Sequence, residues 1–449
     1  FGYSDCEGKL AVECFMKEYY QTVMELERLN EMLLQYFQEI IIYGDSGDLP
    51  RKINRRFIIF RGYIAAANED IFRRYPFALL EIFLLLCQNP EIKGVRASTI
   101  RLIRAHLYLI DDTFRKDISC RALFMDILRQ PYGITHEMRR MNRYGVLAEY
   151  LPPFKKIVGQ MQHDLYHAYT VDEHTLKLLR NARRFFVAKH DHEFPLASSI
   201  AKNLSKPELL FIACIYHDIG KGRGGKHEEY GAIEVEAFCQ LHDISPKDTR
   251  LVIWLVKNHL IMSMTAQRKD IGDPSVINEF ASLVKSREYL DYLYLLTVAD
   301  IRATSPKVWN NCKGSLLIEL FNHTKHALKQ GLGNPLLKDE KIQVCKARAL
   351  DRLISEQFRQ NDIEQLWNSL PDRYFLKFQV DEIIWQTQAV IQHKQLQLEQ
   401  NKPLVLINEH RQSGSTEIFI YVAMQDYVFA IVTSVLAKMM LNITEAKTI

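Results

Sequence analysis

Residues 205–231, SKPELLFIACIYHDIGKGRGGKHEEYG, join an apolar helical run to a glycine-rich turn that carries histidine, aspartate and basic side chains. The tetrapeptide from Ser205 to Glu208 fits a capping box with proline in the first turn, so a helix is predicted to begin here. This helix would end at His217-Asp218, where an apolar core meets the glycine turn. Buried histidine and aspartate need polar partners, and a cation bound by both is one solution.

The turn itself also fits the phosphate-binding pattern G-x-x-x-x-G-K, from Gly220 to Lys226. That pattern needs a serine or threonine next, to hold Mg²⁺, and a preceding strand that aims the loop. Here His227 comes next, and the preceding segment is predicted to be a helix. The phosphate-loop interpretation therefore fails, which leaves a metal site or a basic surface turn.

Further candidate metal ligands lie in or at the ends of other apolar helical segments. His174 lies in TVDEHTLKLL, His259 ends WLVKNH, and Asp300 ends LYLLTVAD. The candidates follow one another at intervals of about forty residues, which leaves room for helical hairpins that each project a ligand into one centre. A mixed histidine and carboxylate set suits Mn²⁺, Fe²⁺ or Zn²⁺, or Mg²⁺ with more water ligands. His227, after the glycines, could add a ligand to a second ion.

Each candidate also has an ordinary interpretation. His174 would be an exposed helix histidine, His259 a cation at a helix C-terminus, and Asp300 a salt-bridge partner. Three further His-Asp dipeptides are interpreted as solvated surface pairs or helix caps: His163-Asp164, His190-Asp191 and His242-Asp243. The order of the candidates along the chain is what favours a metal centre over these separate interpretations.

Length and composition limit the class of protein. A chain of 449 residues is too long for one compact core, so about two to four domains are expected. A net charge of +4 does not indicate a nucleic-acid binder. The 8 cysteines form no CxxC pair, which predicts buried thiols in a reducing compartment. The longest apolar run, Phe77 to Cys87, is too short to span a bilayer and FGYSDCEGKL is no signal peptide, so a cytoplasmic location is predicted.

The periodicity along the chain predicts a mainly α protein in four parts. Residues 1–150 show apolar residues at three- and four-residue spacing and are predicted to form a helical bundle. Residues 151–335 are predicted to form a second, all-helical domain, and residues 336–402 a helical connecting region. Residues 403–449 predict a truncated α/β domain, with a strand at 416–423 before a helix. Further helix starts are predicted at Ser245-Pro246, Asp273-Pro274 and Ser286.

The motifs around the candidates resemble known families. The order His174, His217-Asp218, Asp300 resembles the HD superfamily of metal-dependent phosphohydrolases. The wider context resembles the bifunctional PII uridylyltransferase/uridylyl-removing enzymes of bacterial nitrogen regulation. The stretches that carry this resemblance are VGQMQHDLYHAYTVDEHTLKLLRN (158–181), IYHDIGKGRGGKHEEYG (215–231), VKNHLIMS (256–263) and LTVADIRAT (296–304). It runs from FGYSDCEGKLAVECFMKEYY near the start to QSGSTEIFIYVA near the end, and so covers essentially the whole chain.

The resemblance implies an HD metal-dependent phosphohydrolase domain at 151–335 and a role for each candidate residue. The implied ligands of a principal divalent ion are His174, His217, Asp218 and Asp300. His227 and His259 are the implied ligands of a second ion. Mg²⁺ or Mn²⁺ is implied, and Fe²⁺ or Zn²⁺ also suits the ligands.

The implied reaction is hydrolysis of the phosphodiester that joins UMP to a tyrosine of the PII regulatory protein. Asp218 would help to orient the water that attacks, and Lys221 and Arg223 would neutralise phosphate charge. A tyrosine phenolate is an easy leaving group, because the pKa of its conjugate acid is only about 10.

The resemblance also implies what this sequence does not carry. The family's N-terminal nucleotidyltransferase domain, with its glycine-serine motif and paired aspartates, is not found, so transferase activity is not expected. The family's two ACT domains sense glutamine, and residues 403–449 resemble a truncated first ACT domain. The expected partner is uridylylated PII, with glutamine as effector in the full-length family, and neither nucleic acid nor a membrane is expected as a partner.

Two alternatives to this function stay open. One is an HD-type hydrolase of free nucleotides, against which the flanking motifs and the strand-bearing C-terminus count. The other is a non-catalytic scaffold that binds PII and relays glutamine status, against which the full set of ligand types counts.

Overall fold

A computed structural model describes residues 2–5, 10–42, 49–161, 169–222, 225–305, 308–330, 336–395, 403–410, 415–422, 427–441, 443 and 446. Its secondary structure is mainly α, as predicted. The helices are α1 (Ala11–Phe37), α2 (Ile71–Arg74), α3 (Ala78–Gln88), α4 (Ala97–Ala105), α5 (Asp112–Lys116), α6 (Ile118–Arg129), α7 (Ile134–Tyr144), α8 (Val146–Tyr150), α9 (Pro152–Ile157), α10 (Val171–Arg184), α11 (Pro195–Ala201), α12 (Pro207–Tyr216), α13 (His227–Leu241), α14 (Pro246–Lys257), α15 (Ile261–Arg268), α16 (Pro274–Val284), α17 (Arg287–Thr304), α18 (Asn311–Gln330), α19 (Leu336–Ser355), α20 (Gln360–Asn368), α21 (Asp372–Lys377), α22 (Val380–Gln395) and α23 (Val428–Lys438). The strands are β1 (Arg51–Lys52), β2 (Phe57–Phe60), β3 (Tyr63–Ala66), β4 (Gly94–Val95), β5 (Leu404–His410) and β6 (Ser415–Tyr421).

The chain folds into two compact units. The first consists of residues 1–262 and 288–309, and the second of residues 263–287 and 310–449. Every candidate site residue that the structure describes belongs to the first unit.

Helix α12 forms the centre of the core that carries the candidate site. All its residues from Leu209 to Tyr216 are buried, and α10, α13 and α14 pack against it. Full burial of a leucine or isoleucine side chain contributes about 1.5–3 kcal/mol, so this apolar run fixes α12 inside the unit. His217 directly follows this buried helix, so its backbone position is fixed by the packing of α12.

The predicted helix starts have different outcomes. Ser245 caps α14 by accepting from the amide of Asp248 at 3.2 Å, and Asp273 caps α16, as predicted. Pro207 occupies the first turn of α12, but the predicted capping box at Ser205 is wrong. Lys206 is the N-cap residue and no side chain caps this helix, because the helix begins one residue later than a Ser205 cap requires.

A small sheet, which the prediction of a helical bundle missed, lies within residues 51–95. Its order is β1-β2-β3-β4, with β3 and β4 parallel and the other neighbours antiparallel. Strands β2 and β3 form a hairpin with the two-residue loop Arg61-Gly62, whose φ angles are 52° and 83°. Two positive φ angles are typical of the tight turn that matches the twist of a hairpin.

The second unit has an apolar core of its own. Residues of α19, α20, α21 and α22 form one buried cluster, against which Leu404 of β5 and Phe419 and Tyr421 of β6 pack. The region predicted to be a connecting element is thus a packed helical layer. Strand β6 and helix α23 match the predicted strand and helix, whereas β5, which pairs antiparallel with β6, was not predicted. The sequence ITEAKTI (443–449) could also begin a second strand, but it falls almost wholly outside the described residues.

Within the described part of the chain, no helix combines the length and apolar character needed to cross a bilayer.

Candidate metal centre

Five helices bring the predicted ligands together in the first unit. His174 lies in α10 and Asp300 in α17, while His217 and Asp218 directly follow α12. His259 lies two residues after the end of α14, and His227 is the first residue of α13. The helices that bear His174 and Asp300 are joined by a hydrogen bond from Asn181 Nδ2 to the carbonyl oxygen of Ala299, at 3.2 Å. The separate interpretations of these residues as surface histidines or isolated caps do not fit this convergence.

Four side chains form a principal cluster. His217 Nε2 lies 3.1 Å from His174 Nε2 and 3.1 Å from Asp218 Oδ2. His174 Nε2 lies 3.1 Å from Asp300 Oδ1 and 3.6 Å from Asp218 Oδ2. His174, His217 and Asp218 are each at most 3% exposed. One nitrogen from each histidine and one oxygen from each carboxylate thus face a common point inside the core.

Backbone carbonyls fix the orientation of two of the histidine rings. His217 Nδ1 lies 2.9 Å from the carbonyl oxygen of Cys214, and His259 Nδ1 lies 2.8 Å from that of Val256. A carbonyl oxygen only accepts, so each Nδ1 carries a proton and donates it. In the neutral ring, Nε2 then presents a lone pair to the centre, which is the arrangement expected of a metal-binding histidine.

A second cluster shares Asp218. Its other oxygen, Oδ1, lies 3.5 Å from His227 Nε2 and 3.9 Å from His259 Nε2. Among the residues that the structure describes, no hydrogen-bond partner is found for the buried Nε2 atom of His227. Both clusters bring together ligand atoms of the kind and spacing that hold a metal ion. The donor set therefore fits one or two divalent cations, with Asp218 between them.

Both carboxyl groups of the centre are held ionised. Burial by itself raises the pKa of Asp218, but the charges of His217 and Lys221 outweigh burial and lower it well below its ordinary value. Burial likewise raises the pKa of Asp300, yet the hydrogen bond with His174 and the charge of His217 lower it to about 2. Two negative charges, one on the buried Asp218 and one on the partly buried Asp300, therefore belong to one centre and require positive charge nearby.

The histidines differ in how they respond to those charges. Burial lowers the pKa of His217, but Asp218 and Asp300 outweigh burial, so the net pKa is raised. Burial and the charge of His217 lower the pKa of His259 to about 4, and burial lowers that of His227. A proton on His217 thus supplies positive charge that a bound cation would supply instead.

The predicted catalytic residues on the glycine turn have separate outcomes. Lys221 Nζ lies 2.8 Å from Asp218 Oδ2, so Lys221 contacts the centre through a carboxylate. Arg223 lies outside the described residues. A Cβ atom on Gly220 would overlap the carbonyl oxygen of His227, so only glycine lets the turn pack against the start of α13.

Sequence reasoning missed the residues that support the ligands. Glu228 Oε2 lies 3.2 Å from His227 Nδ1, on the side of the ring away from Asp218. Such outer partners orient metal ligands, and the adjacency of Glu228 to His227 was the available signal. The carbonyls of Cys214 and Val256 have no sequence signal, because every residue has a carbonyl.

The two other His-Asp dipeptides that the structure describes have partners outside the centre. His242 ends α13 and is buried, with Nε2 2.8 Å from Tyr150 Oη and Nδ1 2.9 Å from the carbonyl oxygen of Phe238. His190 contacts Glu193 and Arg184. His163-Asp164 lies outside the described residues.

A buried His-Asp pair that closes a helix, with further histidine and aspartate ligands from neighbouring helices, defines the HD class of domain. The HD domain family matches residues 171–304, which include all the described ligands. The families described as the third and fifth domains of uridylyltransferase GlnD match residues 57–150 and 337–389. HD domains are metal-dependent, in agreement with the donor set.

Curated relatives match along the whole chain. The bifunctional uridylyltransferase/uridylyl-removing enzyme of Pseudomonas aeruginosa is 49% identical over 453 residues, which cover 100% of this chain and 50% of that protein. The enzymes of the same description from Pseudomonas putida and Azotobacter vinelandii are 49% and 48% identical over 451 residues, with the same coverage. The chain belongs to this family and spans about half the length of the curated relatives it matches. A solved complex of CCA-adding enzyme with CTP aligns at a TM-score of 0.38 and 12% identity, over 74% of this chain and 63% of that one, too weakly to bear on the fold.

Proposed function

We propose that the HD domain of this chain is a metal-dependent phosphodiesterase that releases UMP from a uridylylated tyrosine of PII. The observation that supports this most strongly is the convergence of His174, His217, Asp218 and Asp300 on one buried point. The substrate comes from the description of the relatives as uridylyl-removing enzymes and from the resemblance in the motifs. Glutamine as an effector stays a prediction from the same resemblance.

The charges of the centre support a requirement for a cation. At about 4 Å and an effective dielectric constant of about 20, each carboxylate would repel a phosphodiester by about 4 kcal/mol. The positive charge of Lys221, which is already paired with Asp218, offsets the repulsion between the phosphodiester and about one carboxylate. A substrate phosphate therefore needs additional positive charge next to Asp218 and Asp300.

The chain's own residues have distinct proposed roles. The ligands of the principal cluster would hold one ion, and Asp218, His227 and His259 a second one. When bound, the metal supplies charge neutralisation at the phosphate and lowers the pKa of coordinated water. Asp218 orients the attacking water, and Lys221, with Arg223 as predicted, neutralises phosphate charge. The leaving tyrosine needs little protonation, since its pKa is about 10.

The direct test is release of UMP by the purified chain. Uridylylated PII is incubated with the chain and Mn²⁺ or Mg²⁺, and free nucleotides are supplied in parallel. Asp218→Asn is expected to abolish release while the helical circular-dichroism spectrum stays unchanged. Asp243→Asn is the matched control, because Asp243 belongs to the same dipeptide type but is exposed and pairs with Arg121 away from the centre.

The outcomes separate the alternatives. Turnover of nucleotides without UMP release from PII would favour a nucleotide hydrolase. Binding of PII without turnover in any divalent metal would favour the scaffold. Full activity of Asp218→Asn would show that the ligands are assigned wrongly.

A further inference from the structure

Residues 156–160, here called the strap, include the end of α9 and are hydrogen-bonded to the start of α10, next to the metal centre. The amide nitrogen of Gly159 donates to Asp172 Oδ1 at 3.0 Å, and the amide of Val171 donates to the carbonyl oxygen of Gln160 at 2.8 Å. The other oxygen of Asp172 accepts from Asn142 Nδ2 at 3.0 Å. Asp172 is 2% exposed, so the strap is tied firmly to the first turn of α10, two residues before His174.

Helix α1 holds the opposite side of the strap. Gln21 Nε2 donates to the carbonyl oxygen of Val158 at 3.0 Å, and Lys17 Nζ donates to that of Lys156 at 2.7 Å. Gly159 has a φ of +71°, and a Cβ atom there would lie 2.9 Å from Gln21 Cγ and 3.0 Å from the carbonyl oxygen of Lys17. The contact with α1 is therefore too close for any residue but glycine.

The last residue of the strap covers the glycine turn of the centre. A Cβ atom on Gly222 would overlap the side-chain amide of Gln160, so the two residues are in close contact. Gly222 has a φ of +73° and directly follows Lys221, whose ammonium group contacts Asp218. The contacts thus run from α1 through the strap to the turn that carries Lys221.

We propose that Gln160 is a positioning residue for the glycine turn and that α1, through Gln21, fixes Gln160 in place. Gln160 limits the movement of Gly222 and so keeps Lys221 beside Asp218. Truncation of Gln160 frees the turn without removing any ligand. The expected effect on catalysis rests on the proposed hydrolase function. A misplacement of a catalytic group by about 1 Å can cost about a hundredfold in rate.

The test uses the full chain with Mn²⁺ and two independent readouts. Hydrogen exchange of the amides of residues 219–222 reports the turn directly, whatever the activity. Gln160→Ala and Gln21→Ala are each expected to raise this exchange several-fold, with unchanged melting temperature. Gln130→Ala is the matched control, because the half-buried Gln130 side chain donates to the carbonyl of Asp126 in the helix directly before it, a local bond away from the strap.

The second readout is a double-mutant rescue. Gly222→Ala is expected to lower kcat for UMP release about tenfold with little change in KM, because the new methyl group displaces Gln160 or the turn. Gln160→Ala combined with Gly222→Ala removes the clash but not the strain of alanine at a φ of +73°, so kcat is expected to recover in part relative to Gly222→Ala alone. Such recovery is the non-additivity expected of two positions in contact.

Each outcome decides one point. Unchanged exchange in Gln160→Ala overturns the positioning role, and a double variant that is no more active than Gly222→Ala rejects the clash with Gln160 as the cause of the lost activity. If exchange is raised in Gln160→Ala but the unmodified chain releases no UMP, the positioning contact is supported and the proposed function is rejected. Raised exchange in Gln160→Ala but not in Gln21→Ala rejects the part played by α1.

Discussion

Protonation of His242 is expected to destabilise the first unit between pH 7 and pH 5. The ring is 9% exposed and stacks on Phe238 with 3.9 Å between ring centroids. Its Nδ1 donates to the carbonyl oxygen of Phe238, and its Nε2 accepts from the hydroxyl of Tyr150. Both nitrogens are therefore satisfied in the neutral ring. Burial, reinforced by the charge of Arg121, lowers the pKa of His242 to about 4.

The size of the effect follows from the difference between the folded and unfolded states. The unfolded pKa is 6.5, so the unfolded chain binds the proton more readily than the folded one. The stability that neutral His242 confers is thus present above pH 6.5 and lost as the pH falls towards 4. At about 1.4 kcal/mol per pKa unit, the total is about 3 kcal/mol, of which about 2 kcal/mol is lost between pH 7 and pH 5.

Urea unfolding at the two pH values measures this loss. The unmodified chain and His242→Gln, which cannot titrate, are compared under the same metal conditions, so that the other histidines contribute equally to both. The variant is expected to lose about 2 kcal/mol less than the unmodified chain on acidification. Equal losses in the unmodified chain and His242→Gln, to within about 0.5 kcal/mol, would refute the reasoning.

Two further predictions concern the centre and the second unit. Mn²⁺ at a hundred times its Kd is expected to raise the free energy of unfolding of the first unit by about 2.7 kcal/mol. Calorimetric titration should show that Asp300→Asn binds Mn²⁺ more weakly than the unmodified chain. Equal affinity of the two would contradict the ligand assignment. Thr387→Val is expected to cost about 1–3 kcal/mol, because the buried Trp367 Nε1 loses the acceptor 3.1 Å away. Urea unfolding measures this cost, and Thr387→Ser, which keeps the hydroxyl, should show little of it.

The helices that could be predicted from the sequence are those with long runs that are apolar either on one face or throughout. Helix α12 and the helices of the centre fall in this class, because their burial patterns persist over several turns. The hairpin of β2 and β3 was missed because each strand has only four residues and its turn, Arg61-Gly62, is not one of the Asn-Gly or Asp-Gly pairs that mark a hairpin in a sequence. Strand β5 was missed because its residues follow directly on a polar, helix-like stretch.

The candidate site was predictable in its residue types but not in its supports. The order of the ligands along the chain matched helix ends and helix interiors that the folded unit brings together. The strap could not be predicted, because Asp172, Gly159 and Gln160 act through backbone groups and close packing that leave no pattern in the sequence. Likewise, Lys221 was assigned to the phosphate, whereas its contact with Asp218 depends on the path of the turn.

Four of the described histidines of the first unit, among them His106 directly after α4, bond Nδ1 to a carbonyl of their own helix at its end. His217, His259 and His242 each direct Nδ1 to a carbonyl three or four residues earlier, which satisfies a helix-terminal carbonyl and aims Nε2 away from the helix. What Nε2 then meets is decided elsewhere in the fold: carboxylates for His217 and His259, and the phenol of Tyr150 for His242.

The orientation of each ring is thus set by residues close to it in sequence, whereas the group that Nε2 contacts is set by residues far away in sequence. A substitution in a facing helix would therefore change the group that Nε2 contacts without changing the bond that orients the ring. Histidines at helix ends thus offer oriented rings whether or not an aspartate follows them, and the residues that face each ring determine what its Nε2 contacts.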